Sequence, residues 1–278
     1  GYYNPSANTL NPLQGITYGV TQVSATPVVN AVGVAGNYIY VGGTFKSAGG
    51  IQANNIARYD VLNQIWEALW DTTTNRNGVE GTVNAIAMFG PDLYVGGTIT
   101  KAGGKTLINN LAYWSSTGSW ITVGSQTING PIYCLQFAAV GTPDFTLFIG
   151  GDFTTSGGNP GNYLCQYIVS LNSFSPLYGA DGLGEGTNGV VYALQYVDLP
   201  SAAPDNPGTK KLYFGGVFST VDIGSATYCP SSNIGVWTYG GYGYSISTQL
   251  NNGVSGTVRA LTYWYGPAET PAIQPTLY

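Results

Sequence analysis

The chain has 278 residues, of which 44% are hydrophobic but only 8% charged, and its net charge is −5. Eight Lys and Arg supply no basic footprint for nucleic acid, and no run approaches the roughly 18 apolar residues of a membrane helix. There is no histidine, which excludes Ser-His-Asp triads, Cys-His pairs and imidazole metal sites together. The 41 glycines, 15 prolines and 22 tyrosines predict many turns between aromatic-rich strands.

In chain order, residues 1–15 read as an N-terminal arm. Gly1-Tyr2-Tyr3-Asn4-Pro5 is extended, polar-aromatic and outside the pattern that follows. The arm is either a plain tail or a segment that docks on a neighbouring subunit. Ile16–Val23 stands where the last strand of a preceding unit would lie. From there to residue 278 a repeat dominates. Gly-Gly pairs begin at Gly42, Gly96, Gly150 and Gly215, with spacings of 54, 54 and 65 residues. A Pro-rich insertion at Asp198–Lys211 accounts for the long interval.

Each unit holds four strand-like runs bounded by Gly, Asn, Pro or Asp. Strand A is Val29–Val34, Val83–Met88, Ile132–Phe137 and Val191–Tyr196, with a fifth at Val258–Tyr263. Strand B carries the pairs Gly42-Gly43, Gly96-Gly97, Gly150-Gly151 and Gly215-Gly216. Strand C is Asn55–Asp60, Asn110–Ser115, Asn162–Ile168 and Asn233–Thr238. Strand D is Gln64–Leu69, Ser119–Val123, Phe174–Tyr178 and Tyr244–Gln249. The repeats lie near 29–70, 83–124, 132–179 and 191–250, with a partial one at 258–278. A second glycine pair (Gly49-Gly50, Gly103-Gly104, Gly157-Gly158) marks the B-to-C turn, where positive φ is expected. The first pair fits close approach to a bulky neighbour. Tyr59, Trp66, Trp114, Trp120, Tyr167, Phe174, Trp237 and Tyr244 are the candidates for that bulk.

Four strands repeated at this period predict an all-β fold, a β-propeller of four-stranded antiparallel blades. Four full repeats and parts of a fifth imply five or more blades. A hydrophobic-Gly-Gly strand followed by Tyr or Trp resembles the Kelch repeat. Gly42-Gly43-Thr44-Phe45 with Asn55-Ile56-Ala57-Arg58-Tyr59-Asp60 is similar to the Kelch-like repeats of fungal cortical-polarity marker proteins, and to repeats in bacterial surface proteins and large DNA viruses. The fourth unit departs from the pattern, with Val217 and Gly235-Val236-Trp237. The resemblance implies the propeller fold and leaves function open. Pro275-Thr276-Leu277-Tyr278 matches Pro91-Asp92-Leu93-Tyr94, just before a Gly pair. The expectation is a portion of a longer protein; the alternative is a five-bladed ring with an abbreviated last blade.

Candidate chemistry is sparse. Glu80 and Glu185, both before a strand A, are candidate acids at a channel mouth, for a cation or polar ligand. Their bland alternative is a pair of solvated loop acids. Arg58, Arg76 and Arg259 are too scattered for a sialidase triad. Asp152 reads as a turn acceptor and Asp181–Glu185 as a turn. Cys134, Cys165 and Cys229 read as buried small hydrophobes, with a Cys165–Cys229 bridge left open. No catalytic residue, metal ligand or cofactor site is assigned, and no N-glycosylation sequon with a permissible middle residue occurs. The expectation is a non-enzymatic assembly module on a cell, filament or virion surface, acting through protein contacts. The alternative is a glycan- or protein-recognition module using one loop face, and behind it a glycoside hydrolase or lyase. The B-to-C and D-to-A loops are the expected functional surface.

Overall fold

The structure is a computed structural model. It describes all residues except 1, 5, 8, 12, 14–18, 23–25, 108–109, 126, 140–144, 158, 179–183, 199–209, 223–227, 241–242, 248–252, 265–275 and 278. The described residues form strands and turns without a helix. The chain divides into two compact units, Gly1–Val123 and Gly124–Tyr278. Each contains two four-stranded antiparallel meanders in the order A-B-C-D, and among the described residues no sheet closes into a barrel.

In the first unit, sheet 1 consists of Val28–Ala35, Tyr38–Thr44, Ile56–Asp60 and Ile65–Ala68. Sheet 2 consists of Val79–Phe89, Asp92–Ala102, Leu111–Ser115 and Ser119–Thr122. In the second unit, sheet 3 consists of Ile132–Ala138, Thr146–Gly151, Leu164–Ile168 and Ser173–Tyr178. Sheet 4 consists of Val191–Asp198, Lys210–Gly216, Ile234–Gly240 and Gly243–Ser247. The strands anticipated around each Gly pair are therefore present.

One irregularity recurs in all four sheets. The A–B register slips between Val29 and Ala31, Val83 and Ala85, Ile132 and Cys134, and Val191 and Ala193. Each slip is a β-bulge facing the Gly pair. The bulge turns a strand-A carbonyl toward the second glycine. A Cβ on Gly43 would lie 1.9 Å from Val28 O, and one on Gly97, 1.9 Å from Thr82 O. The first glycine receives a branched side chain from the next strand A: Val83 at Gly42, Val191 at Gly150 and Val258 at Gly215. The bulk against the Gly pair is thus a valine and a backbone carbonyl, not the aromatic residues expected there. The aromatics pair across strands C and D instead. Tyr59–Trp66, Trp114–Trp120 and Tyr167–Phe174 have ring centroids 5.1–5.4 Å apart. Their indoles reach the B-to-C turn, where Trp66 covers Gly49 and Trp120 covers Gly103. Those turn glycines do take positive φ.

Within each unit the two sheets share an apolar core. In the first, Tyr40, Ile56 and Leu69 meet Val83, Val95 and Trp114. In the second, Phe148 and Leu177 meet Val191, Phe214 and Trp237. Burial at these interfaces stabilises the fold by roughly 25 cal/mol per Å2 of apolar surface removed from water.

A polar joint accompanies each apolar one. The Asn that opens strand C has positive φ at Asn55, Asn110, Asn162 and Asn233, a conformation Asn tolerates better than most residues. Asn55 Oδ1 accepts from Phe45 N at 3.0 Å, and its Nδ2 donates to Val79 O at 2.8 Å. Asn233 repeats this with Phe218 N and Val254 O. Alongside, Val79 N, Thr187 N and Val254 N donate to the carbonyls of Asn54, Asn162 and Ser232, all at 2.9 Å. The D-to-A segment then docks on the B-to-C hairpin. Val20 opposes Ala48, Val79 opposes Ala102, Ile128 opposes Ser156 and Thr187 opposes Val221.

Two expectations change. Val20–Thr21 is not a fourth strand of a sheet; it is the D-to-A segment lying on Ser47–Ala48. Of the fifth strand A, Val258–Tyr263, only Tyr263 is strand, in Tyr263–Trp264 paired with Thr276–Leu277. In the arm, Tyr2–Asn4 is an extended strand, and it pairs with Thr9–Asn11.

Asp71 fixes the turn after sheet 1. Its buried carboxylate accepts from Thr73 N, Thr74 N, Trp120 N and Lys105 Nζ, at 2.7–2.9 Å. Burial alone would raise its pKa, but the bonds from Lys105, Thr73, Trp120 and Thr74 outweigh burial and hold it well below the ordinary carboxylate value. The folded pKa lies below the unfolded one, so this contribution is complete above about pH 4 and is lost as pH falls toward the folded value. Asp71→Asn should cost at least about 2 kcal/mol at neutral pH and flatten the acid limb of the melting-temperature profile below pH 4.

Gly43→Ala should cost about 1–3 kcal/mol or more, because a carbonyl cannot withdraw as a flexible side chain can. Gly256→Ala should be close to neutral, since nothing lies within 4 Å of its Cβ position. Paired denaturant titrations compare the two.

Candidate functional site

A cavity of about 610 Å3 in the first unit opens where sheets 1 and 2 present their A-to-B and C-to-D turns. Ala35-Gly36-Asn37 and Gly90-Pro91 form its turn walls, Tyr38, Tyr40 and Trp114 its aromatic walls, and Arg58 and Ser116 its polar ones. Arg58 projects from strand C between two partners. Its Nε donates to Glu67 Oε2 on strand D at 2.6 Å. Its guanidinium carbon lies 4.2 Å from the Tyr38 ring centroid, a cation–π contact. Partial burial works against the charge, but the hydrogen bonds to Glu67 and Tyr40 prevail and raise the Arg58 pKa. The guanidinium is therefore charged, locally neutralised and held in one plane.

The repeat does not require this pair. At the positions of Arg58 and Glu67 the other sheets place Tyr113 and Ile121, Gln166 and Ser175, and Val236 and Ser247. In sheet 2, Tyr113 turns to Asp92, donating from its hydroxyl to Oδ2 at 2.9 Å. Burial and that carboxylate push the Tyr113 phenol up to about 12. In the sequence Arg58 stands as one of three scattered arginines. The available signal was the charge at a position filled by uncharged residues elsewhere. The cavity is also on the edge opposite the B-to-C and D-to-A loops where function was expected.

Those loops carry a second cavity of about 290 Å3, lined by Asn54, Arg76, Asn77, Glu80 and Lys101 among others. Glu80 Oε2 lies 3.1 Å from Lys101 Nζ, both side chains exposed. Glu80 is thus paired with Lys101, and Arg76 lines the same cavity. Glu80 is also not the counterpart of Glu185. Val79 pairs with Ala102 as Ile128 does with Ser156 and Thr187 with Val221, so Glu80 corresponds to Asn129 and Asn188. The Oδ1 atoms of those two asparagines each accept two backbone N–H groups of the B-to-C segment. This is the turn-acceptor role anticipated for Asp152. Glu185 lies in the second unit, on a two-residue strand beside Leu177–Tyr178, and its side chain is outside the described residues.

The bulged residues of the second unit meet one another. The Tyr133 and Tyr192 rings are 5.1 Å apart, and Arg259 lies 5.0 Å over Tyr192. Cys134 and Cys165 are free thiols. Cys165 is buried, and burial pushes its thiol up to about 12. This fits a small hydrophobe and not a nucleophile. The Cys229 side chain is outside the described residues. Among the described residues no three His, Cys, Asp or Glu gather as metal ligands, and no helix is long and apolar enough to cross a membrane.

No family model matches the chain, and no curated protein does. Solved structures with similar coordinates include the computationally designed Ika8 protein. That likeness has a TM-score of 0.41 and 12% identity, over 88% of this chain and 68% of that one. Another is the extracellular domain of the putative hybrid two component system BT4673 from B. thetaiotaomicron. Its TM-score is 0.41 at 14% identity, over 84% of this chain but only 29% of that one.

Proposed function

We propose that the chain is a run of Kelch-like propeller blades, five or more in the complete ring. In this reading it is a non-enzymatic assembly module on a cell, filament or virion surface, working through protein contacts. The observation that carries it is an uncovered sheet face. Strand A of sheets 2 and 4 buries the apolar side that faces the preceding sheet, through Val83 and Val191. Val258 occupies the same kind of seat on Gly215. In sheet 1 the equivalent side chains are open: Val29 is 43% exposed, Val32 61% and Val34 65%. Contiguous apolar exposure of this kind marks a contact surface.

The complement of this face is defined by its counterparts, each of which rests on a glycine of a Gly-Gly strand. The partner is therefore a Gly-Gly strand of the same repeat, and a second copy of the chain provides such strands by construction. Low charge suits contacts of this type, because few ions need desolvation when the surfaces meet.

Light scattering after size exclusion tests the reading. The chain should self-associate as concentration rises. Val32→Lys with Val34→Lys should return it to a monomer without lowering its melting temperature, since neither side chain is buried within the unit. A wild-type chain that stays monomeric at every concentration contradicts self-assembly.

A further inference from the structure

We infer that the Arg58 cavity is a binding site for a neutral saccharide. Three observations converge on this ligand class. First, the cavity volume falls in the range of small-molecule sites, roughly 300–1,000 Å3. Second, its lining alternates apolar faces with directed polar groups. Tyr38 is partly exposed, while Tyr40 and Trp114 are buried behind it. The Arg58 guanidinium uses Nε on Glu67 and also hydrogen-bonds Tyr40, which leaves three of its five N–H donors. A pyranose has the matching surface, with a C–H face for an aromatic ring and an equatorial rim of hydroxyls for a planar donor array. Third, the pair is an addition to the repeat. Sheets 2, 3 and 4 form the same strand C–D ladder with no charge at either position, so the ladder does not explain Arg58 and Glu67.

The charge balance narrows the class. Glu67 neutralises Arg58 at 2.6 Å, so a ligand carboxylate would meet a compensated guanidinium. Hydroxyls bring no charge to be compensated, and the guanidinium that lines the cavity can donate to their oxygens. A neutral sugar is favoured over a sialic or uronic acid, and over a phosphorylated peptide, which would need unpaired cations. The stacked Tyr38 ring and the ion pair also hold the donors in place before binding, which lowers the ordering cost.

Saturation-transfer NMR with the methyl glycosides of glucose, galactose, mannose and N-acetylglucosamine tests this directly, with methyl sialoside as the acidic comparison. At least one neutral glycoside should receive saturation on its ring C–H protons. Tyr38→Ala, and separately Arg58→Met combined with Glu67→Leu, should each weaken its binding about tenfold or more by titration. The double variant leaves no lone buried charge, and its near-ultraviolet circular dichroism should match the wild type. Arg76→Ala, in the other cavity, should bind like the wild type. No transfer to any neutral glycoside overturns the assignment. So does transfer that survives both cavity variants, or binding confined to methyl sialoside.

Discussion

Everything in these sheets depends on how closely two strands approach at the Gly-Gly pair. The bulge in strand A drives a carbonyl to within 1.9 Å of where a Cβ on Gly43 would stand, and Val83 to within 2.4 Å of one on Gly42. Only hydrogen fits at either place. Removing two side chains lets the next strand A seat its valine against bare backbone, and the aromatic C–D pairs fill the space beside it. The bulge, the glycine pair and the incoming valine are therefore one device. It sets the spacing between sheets within a unit, and it recurs because each sheet must solve the same packing problem.

The polar joint obeys the same logic. A carbonyl buried between sheets must be paired or it costs about 1–3 kcal/mol. Asn55 and Asn233 meet that demand from a positive-φ position, each linking the B-to-C segment of one sheet to the segment entering the next. Charge is used sparingly around these joints. Asp71 is held by four residues, Thr73, Thr74, Lys105 and Trp120, and Arg58 is held by Glu67 and Tyr38. The first ties a turn whose geometry demands a strong acceptor. The second ties nothing that the other sheets lack, and for that reason it reads as a site.

Much of the fold was legible because its signals are local. The spacing of the Gly pairs, the Asn before strand C and the alternation within each run all concern neighbours along the chain. The bulges were not legible. A single extra residue in strand A leaves no compositional mark, and without it the aromatic residues are the natural neighbours for the glycines. The register of Glu80 was lost for a related reason. Counting back from strand A gave it Glu185 as a counterpart, whereas the pairing of Val79 with Ala102 gives it Asn129 and Asn188. The Arg58–Glu67 pair lies across two strands nine residues apart, and only the ladder shows that the two side chains meet.

The sheet-to-sheet joint holds each unit together, and native-state amide hydrogen exchange reads that joint residue by residue. Val79, Thr187 and Val254 lie at or beyond strand ends, where exchange is ordinarily fast, yet their N–H groups donate to Asn54, Asn162 and Ser232. The account predicts that these three amides are protected to the level of the central strand residues Val95, Ile149 and Phe214. Exchange of the three at loop rates, with the strand centres protected, would contradict it.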